Sequence, residues 1–336
     1  MPSSNSCICF TAPGQVEVRS SPIPSPGPGE VLIRTRRTLI SAGTELSILH
    51  NQPSPGSAWA EFSQFPRMVG YSNAGEVVDT GANVDRSWVG QRVASRSHHA
   101  RWVTCDVSDL RPIPAEVSDE EATFATLAGV TMNGLRRAGL VWGESIAIFG
   151  LGILGQLAVR IALAVGAGPI FAIEVSGLRL GKLPLHPMII GLPGDLKAAL
   201  ASVRQQTGGT GVDVAIEATA VASLIPEEAG VVRDQGRLLL LSSPRGATMF
   251  DFHDLCNRPS ISIVGAHGFS QPPVASPSSP WSSKRHGDLF LQWLQAGRLS
   301  VRDLVTHRFT FQQAAQAYAL LDEGPAKSMA TVLEWQ

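Results

Sequence analysis

The chain has 336 residues, which favours two folded domains because one hydrophobic core rarely serves so long a chain. Its composition of 44% hydrophobic and 16% charged residues, with 33 glycines and 23 prolines, excludes a disordered or fibrous protein and is typical of a globular α/β one. The formal charge is -1 at pH 7, and no basic stripe extends beyond Arg34, Arg36 and Arg37, so nucleic acid and anionic membrane surfaces are not expected partners.

The cysteine pattern bears on the cellular compartment. The spacing is neither that of a disulfide framework nor that of a zinc knuckle, and no secretory signal precedes the four residues, Cys7, Cys9, Cys105 and Cys256. We therefore expect a protein of the reducing cytoplasm.

The N-terminal part of the chain has the pattern of a β-rich domain. Short β-branched runs alternate with Pro, Gly and Asn over the first ~120 residues, and strands are predicted at 31–34, 74–79 and 92–94. A helix is predicted from Ser118 to Arg137, because Ser118 can cap it and acidic residues fill its first turn. We place the domain boundary in this helix.

The middle of the chain alternates buried strands with helices, the pattern of a doubly wound parallel sheet. Strands are predicted at 145–149, 170–174, 212–218, 237–241 and 261–264. Residues 145–175 are apolar enough to raise the question of a membrane span, but Gln156, Arg160 and six glycines favour a strand, helix and second strand. An irregular or shortened sheet edge is expected at 175–208, a Pro/Ser-rich loop at 271–286, and helices at 289–296 and 311–322.

The strongest motif is a glycine pattern that follows the first central strand. Gly150 would allow a tight turn, Gly152 would let the backbone approach a pyrophosphate, and Gly155 would let helix and strand pack closely. Glu174 ends the next strand, where an acidic residue would bind the adenosine ribose hydroxyls. A carboxylate repels a 2′-phosphate, so NAD(H) is favoured; NADP(H) is the alternative, because Ser176 and Arg179 follow.

Several further segments resemble the medium-chain dehydrogenase/reductase family, of the zinc-type alcohol dehydrogenase and threonine dehydrogenase kind. They are GEVLIRTRRTLISAGTE, FPRMVGYSNAGEVVDTGANV, VGQRV, GVDVAIEAT, QGRLLLL and LVTHRFTFQQAAQAYALLDEGPAKSMATVLEW. The resemblance implies an α/β protein with a GroES-like β-rich catalytic domain, residues 1–125 and 266–336, and a Rossmann domain, residues 126–265. It also implies a homodimer formed through the Rossmann domains.

The chain departs from the family where zinc is bound. Ala42 replaces the cysteine of the family's Cys-Gly-Ser/Thr-Asp segment, Tyr71 and Ser72 replace its His-Glu pair, and residues 125–130 offer no further ligand. The four-cysteine lobe that holds structural zinc is missing as well. We expect neither a catalytic nor a structural zinc. The alternative is a zinc held by unaligned residues such as His98, His99 and Cys105.

Four residues are candidates for the chemistry that a metal would otherwise perform. Tyr71 replaces a zinc ligand, Thr44 stands where the family relays the alcohol proton, His99 could supply an acid, and Glu45 could transfer a proton. Each has a structural alternative. Tyr71 could pack in the core, Thr44 could cap a turn, and His99 could be a structural histidine. Glu45 could bond to backbone or to an arginine. Residues expected at the cofactor, besides those above, are Ile153, Leu154, Thr219, Ser242, Ser243 and His267.

The sequence thus predicts an NAD(P)-dependent oxidoreductase that works without metal. Its substrate would be a small to medium organic molecule carrying a carbonyl, an alcohol or a conjugated alkene, and secondary metabolism is one setting in which we would expect it. Oxidation of a tetrapyrrole, as in bacteriochlorophyllide hydroxyethyl dehydrogenases, is one alternative. A nucleotide-binding protein without turnover is another.

Overall fold

The computed structural model describes residues 4–53, 55–272 and 275–335. The chain divides into two compact units. We call Met1–Leu127 with Lys284–Gln336 the β-rich unit, and Ala128–Ser283 the α/β unit.

The strands in chain order are β1 (Asn5–Ala12), β2 (Gln15–Ser21), β3 (Glu30–Leu39), β4 (Arg67–Met68), β5 (Asn73–Thr80), β6 (Arg92–Ser95), β7 (Trp102–Asp106), β8 (Arg111–Pro112), β9 (Ile146–Phe149), β10 (Ile170–Glu174), β11 (Ile189–Pro193), β12 (Val212–Glu217), β13 (Val232–Leu240), β14 (Ser262–Gly265), β15 (Val305–Thr310) and β16 (Ala330–Glu334).

The α-helices are α1 (Ala42–Leu49), α2 (Ala58–Phe62), α3 (Asp119–Ala122), α4 (Ala125–Arg137), α5 (Ile153–Ala164), α6 (Gly177–Leu180), α7 (Leu196–Gln206), α8 (Ile225–Ala229), α9 (Ser283–Gln295) and α10 (Ala314–Asp322). Short 3₁₀ turns lie at Arg86–Trp88, Val107–Asp109, Ala222–Leu224, Gly268–Ser270, Arg302–Leu304 and Phe311–Gln313, and a π-helical turn at His253–Asn257.

Two sheets form the framework of the β-rich unit. The larger has the order β15-β16-β3-β5-β6-β8, with β7 also paired to β3, and the smaller has the order β2-β1-β4. The register of β3 against β5 shifts between Thr35 and Arg37, which leaves Arg36 as the extra residue of a β-bulge. One core of this unit packs α1 and α10 against β1, around Phe10, Ile48 and Tyr318.

The α/β unit is built on one parallel sheet of order β11-β10-β9-β12-β13-β14. The order reverses at β9, the strand that precedes the glycine motif, and ligands bind beyond the carboxyl ends of the strands at such a switch point. The strands of its core are apolar on both faces, with Ala147, Phe171 and Ala215 fully buried. The predicted fold class, a GroES-like β-rich domain plus a Rossmann sheet, is confirmed.

The predicted helix over 118–137 is wrong in one respect, because the structure has two helices there. Ser118 caps α3 in a capping box with Glu121, as its sequence suggests. The Thr123 hydroxyl then donates to the Glu120 carbonyl at 2.6 Å, an alternative to helical bonding that accompanies the break before α4.

The second boundary between the units lies after residue 283, whereas we predicted it after residue 265. The intervening residues pack on α4: Asn133 donates to the Ser270 hydroxyl at 3.0 Å, and the Arg136 guanidinium lies 3.2 Å from the Trp281 ring centroid. Pro273 and Val274, within the predicted Pro/Ser-rich loop, lie outside the described residues.

The sheet edge at 175–208 is less irregular than its sequence suggests. The helix after β10 is reduced to the single turn α6, but β11 pairs with β10 over five residues, from Ile189 to Pro193. No helix of the described ranges combines the length and apolarity needed to cross a membrane.

Candidate functional site

The glycine motif of the α/β unit has three distinct geometries. Gly150 has φ +85°, a left-handed conformation that favours glycine. A Cβ on Gly155 would lie 1.9 Å from the Gly150 carbonyl oxygen, so only glycine lets α5 approach the turn. A Cβ on Gly152 would meet only Arg179 Nη1, at 3.9 Å, which leaves room for a ligand. The turn therefore fits a pyrophosphate at the start of α5, whose first residues are the partly buried Ile153 and Leu154.

Glu174 lies at the end of β10 and is buried, with 5% exposure. One carboxylate oxygen accepts the Leu151 N–H at 2.7 Å, and the other accepts the N–H groups of Val175 and Ser176 at 2.8 and 3.0 Å. The Arg179 guanidinium lies 3.7 Å from the same carboxylate. Glu174 thus organises the turn beside the glycine motif and holds Arg179 next to it.

A second buried glutamate, Glu217, organises the neighbouring loop and was not among the predicted residues. It ends β12, is fully buried, and accepts hydrogen bonds from the N–H and hydroxyl of Thr219, from Ala220 N–H and from the Ser242 hydroxyl. The structure therefore brings together Thr219 and Ser242. Ser243 follows Ser242 and is partly buried, while His267 is exposed after β14.

The predicted catalytic residues of the β-rich unit form one cluster. The Tyr71 hydroxyl lies 2.5 Å from Ser41 Oγ and 3.2 Å from Thr44 Oγ1. Ser41 precedes α1, and its hydroxyl caps no helix N–H, which leaves it available to Tyr71. Burial raises the pKa of the Tyr71 phenol, the Glu45 charge adds to this, and the bonds to the two hydroxyls offset part of it. Tyr71 is therefore a neutral phenol at neutral pH.

Glu45 connects this cluster to a fully buried histidine. One carboxylate oxygen accepts the Ser41 N–H at 2.7 Å; the other lies 3.1 Å from His99 Nε2 and accepts the Tyr318 hydroxyl. Burial alone would raise the pKa of Glu45, but the His99 charge and these hydrogen bonds outweigh it and lower the pKa. Glu45 binds backbone, as one of our alternatives had it, and its side-chain partners are His99 and Tyr318 instead of an arginine.

The two neighbouring histidines have different surroundings. His98 Nδ1–H donates to the Gly70 carbonyl at 3.0 Å, and burial lowers the pKa of His98. The His99 ring is 0% exposed and packs against Gly70, where a Cβ would lie 2.6 Å from the ring. Gly70 has φ +92°, so both its backbone and its neighbour require glycine.

Sequence comparison with known proteins indicates which family the chain resembles. Residues 27–134 match the alcohol dehydrogenase GroES-like domain. The L-threonine 3-dehydrogenase of Pyrococcus horikoshii is 26% identical over 372 aligned positions, which cover 97% of this chain and 98% of that protein. These matches support the resemblance of the chain to the medium-chain dehydrogenase/reductase family. The same matches confirm the predicted enzyme class, an NAD(P)-dependent oxidoreductase.

Solved structures of this fold cover nearly the whole chain. An alcohol dehydrogenase from Escherichia coli in complex with NADH has a TM-score of 0.80 at 17% identity, covering 99% of this chain and 100% of that one. A structure described as a zinc-binding dehydrogenase from Sinorhizobium meliloti, bound to NADP, has a TM-score of 0.80 at 18% identity, with the same coverage. At these identities the two structures show a shared fold.

The zinc that members of the medium-chain dehydrogenase/reductase family use does not fit the donors found here. The cluster around Tyr71 offers three hydroxyl groups, and zinc sites use thiolate, imidazole or carboxylate ligands. Both oxygens of Glu45 are engaged. Within residues 4–53, 55–272 and 275–335, no three His, Cys, Asp or Glu side chains form a group suited to a metal.

The predictions missed Ser41, Tyr318 and Glu217. Ser41 is adjacent to the position of the family's cysteine and could have been found from that neighbourhood. Tyr318 and Glu45 are 273 positions apart, and no local pattern links them. Glu217 lies within the GVDVAIEAT segment, where an acidic residue ending an apolar strand is a usable signal.

Proposed function

We propose that this protein transfers hydride without a metal, between a nicotinamide cofactor and a carbonyl, alcohol or conjugated alkene. The substrate would be a small to medium organic molecule. When bound, the nicotinamide supplies or accepts the hydride, and the residues of the chain handle the proton. The observation that carries the proposal is the hydroxyl cluster of Tyr71, Ser41 and Thr44 at the position of the family's metal ligands.

Counting hydrogens supports a proton-donating role for this cluster. Each hydroxyl has one hydrogen and rotates to suit its partners. The three oxygens are joined by two hydrogen bonds, which use two of the three hydrogens. The third hydrogen remains available for a substrate oxygen, and Tyr71 is hydrogen-bonded to both neighbours. The cluster can therefore donate a hydrogen bond to a developing alkoxide and then deliver the proton.

The pKa of Tyr71 favours one direction of reaction at neutral pH. Because burial raises this pKa, the phenol keeps its proton and serves as an acid in reduction. Oxidation of an alcohol would need the phenolate as base, so the oxidative rate should rise with pH. Glu45 contributes by holding the Ser41 backbone through a 2.7 Å bond. We propose a positioning role for Glu45 and His99, and a catalytic role for Tyr71 and Thr44.

For the cofactor we propose NAD(H) over NADP(H). The Glu174 carboxylate lies at the end of β10, where it would repel the 2′-phosphate of NADP(H). Arg179, the residue that could bind that phosphate, is engaged by Glu174 at 3.7 Å. A homodimer, expected from the family, remains our proposal for the assembly.

The test is Tyr71→Phe, which removes the hydroxyl and keeps the ring. NADH oxidation is measured with a panel of aldehydes, ketones and enones, and nucleotide affinity by calorimetry. We expect kcat to fall about 10²- to 10⁴-fold with nucleotide affinity unchanged. Nucleotide binding without any turnover of the unaltered protein would instead favour a non-catalytic protein.

The other tyrosine of the chain provides a matched control. Tyr318→Phe removes a buried phenol that donates to Glu45, so it should lower thermal stability. Its effect on kcat should be smaller, about tenfold or less. Equal losses of kcat in the two variants would contradict a specific role for Tyr71. A stoichiometric, tightly held zinc in the dialysed protein would contradict metal independence.

A further inference from the structure

A cavity of about 920 Å³ lies in the β-rich unit, apart from the hydroxyl cluster. Four arginines and two tryptophans are among the residues that line it, namely Arg34, Arg36, Arg37, Arg101, Trp102 and Trp335. The volume is in the range of sites for organic ligands. Three of the arginines, Arg34, Arg36 and Arg37, are the local basic cluster of the sequence, and the proposed function gives none of the four a role.

The cavity wall keeps an excess of positive charge, because its carboxylates are shared. Asp119 lies 3.6 Å from Arg36 and 2.8 Å from Arg92. Glu120 lies 3.9 Å from Arg37 and 2.7 Å from Arg308, and Arg37 also pairs with Glu334 at 3.1 Å. Each carboxylate of the lining thus serves one guanidinium inside the cavity and one outside it. Neither neutralises a lining arginine by itself.

Glu76 is not among the lining residues, but it is also shared between two arginines. It contacts both Arg34, at 3.3 Å, and Arg36. The extra residue of the bulge in β3 is Arg36, so Arg36 and Arg37 both reach the cavity instead of alternating across the sheet. An anion placed here would meet several guanidinium groups at once.

Trp102 supplies a second, independent sign of a missing ligand. It is 6% exposed, and its buried indole Nε1–H has no hydrogen-bond partner among the described residues. Asn5 fixes the Trp102 backbone by two hydrogen bonds of 2.9 and 3.0 Å. A buried donor without an acceptor is uncommon in native proteins, and an oxygen in the cavity would satisfy it.

The remaining aromatic wall is rigid before any ligand arrives. Trp335 stacks on Phe311 with ring centroids 4.9 Å apart and an interplanar angle of 4°, and its Nε1–H donates to Thr38 Oγ1 at 2.9 Å. The Arg101 guanidinium lies 5.2 Å from the Phe311 ring centroid. A flat ring could stack against this wall with little loss of side-chain entropy.

We propose that this cavity binds a planar organic carboxylate. The carboxylate would accept hydrogen bonds from the arginines and from Trp102 Nε1–H, and the ring would pack against the tryptophans and the aliphatic stems of the arginines. The inference rests on the lining alone. It holds whether or not the proposed hydride transfer is correct.

The probe is 2-naphthoate, titrated into the full-length protein by calorimetry, with 2-naphthylmethanol as its neutral counterpart. We expect saturable binding of the carboxylate and at least about tenfold weaker binding of the alcohol. Trp102→Phe keeps a ring and removes the N–H, and should weaken naphthoate binding about tenfold. Arg34→Gln changes a half-exposed arginine and should weaken it about threefold.

Trp142→Phe is the matched control, since Trp142 is 83% exposed and lies in the α/β unit. It should leave naphthoate affinity unchanged. Absence of saturable binding, equal affinity for the alcohol, or equal affinity in the Trp102 variant and the control would each overturn the proposal. Displacement of naphthoate by inorganic phosphate at equal concentration would show an ion site without recognition of the ring, and would overturn it as well.

Discussion

Replacing Glu45 by glutamine tests the buried network beneath the hydroxyl cluster. Glu45 and His99 are 1% and 0% exposed at their side chains. The carboxylate accepts from Ser41 N–H on one oxygen, and meets both His99 Nε2 and Tyr318 on the other. Glutamine has nearly the same shape but offers one acceptor oxygen and one donor group. At least one buried donor must lose its acceptor in either amide orientation.

The expected loss of stability follows from these contacts. An orphaned buried donor costs about 1–3 kcal/mol, and more when the acceptor that it loses is a charged group. The isosteric amide keeps part of the bonding, so we expect the Glu45→Gln variant to lose about 3 kcal/mol of unfolding free energy at pH 7.

The same network predicts a pH dependence with a definite sign. The folded-state pKa of Glu45 lies below the ordinary value of 4.5. Ionised Glu45 therefore stabilises the protein above about pH 4.5, and this contribution is lost as the pH falls through the folded-state pKa. The difference between the unaltered protein and the variant should shrink in that acidic window, because other carboxylates titrate equally in both.

The assay is urea unfolding of both proteins at pH 7 and at about pH 3.5. Glu323→Gln is the control, since Glu323 is exposed and pairs with Lys327, four residues further along the chain, at 3.6 Å. A loss at pH 7 no larger than that of the control would refute the buried network. A difference that stays constant at acidic pH would refute an ionised Glu45.

Two further pairs of substitutions test the nucleotide site. Gly155→Ala places a Cβ 1.9 Å from the Gly150 carbonyl oxygen and should lower both thermal stability and NADH affinity. At Gly152 the added Cβ meets only Arg179 Nη1, at 3.9 Å. Gly152→Ala should therefore leave the melting temperature unchanged and weaken NADH binding by about tenfold or more. Equal melting temperatures in calorimetry would contradict the difference in packing. Glu174→Gln should release Arg179 and improve NADPH affinity relative to NADH about tenfold. Adding Arg179→Gln to that variant should remove the gain. An unchanged ratio of the two dissociation constants in Glu174→Gln would show that Glu174 does not select the cofactor.

The parallel strands and the glycine motif could be predicted because their signals are local. A buried parallel strand is a short apolar run, and β10 was placed at its observed bounds from such a run. The roles of Gly150 and Gly155 follow from the spacing between one strand and the helix after it. These features depend on backbone geometry over a few residues, which neighbouring residues determine.

Other features depended on contacts that no local pattern encodes. The break between α3 and α4 rests on one hydroxyl, and the boundary at 283 rests on the packing of 266–283 against α4. Arg179 could be suspected near a phosphate from its position, but only the structure shows that Glu174 engages it.

The sequence by itself indicated the family resemblance, the order of the sheet strands along the chain, and two of the three residues of the hydroxyl cluster, Tyr71 and Thr44. Only the tertiary structure decided which of these side chains meet. Glu45, His99 and Tyr318 come from three separate segments, and the bond between the first and last spans 273 positions. Such contacts form because folding buries their polar atoms together and each needs a partner there, a constraint that acts in space and leaves no periodic trace along the chain.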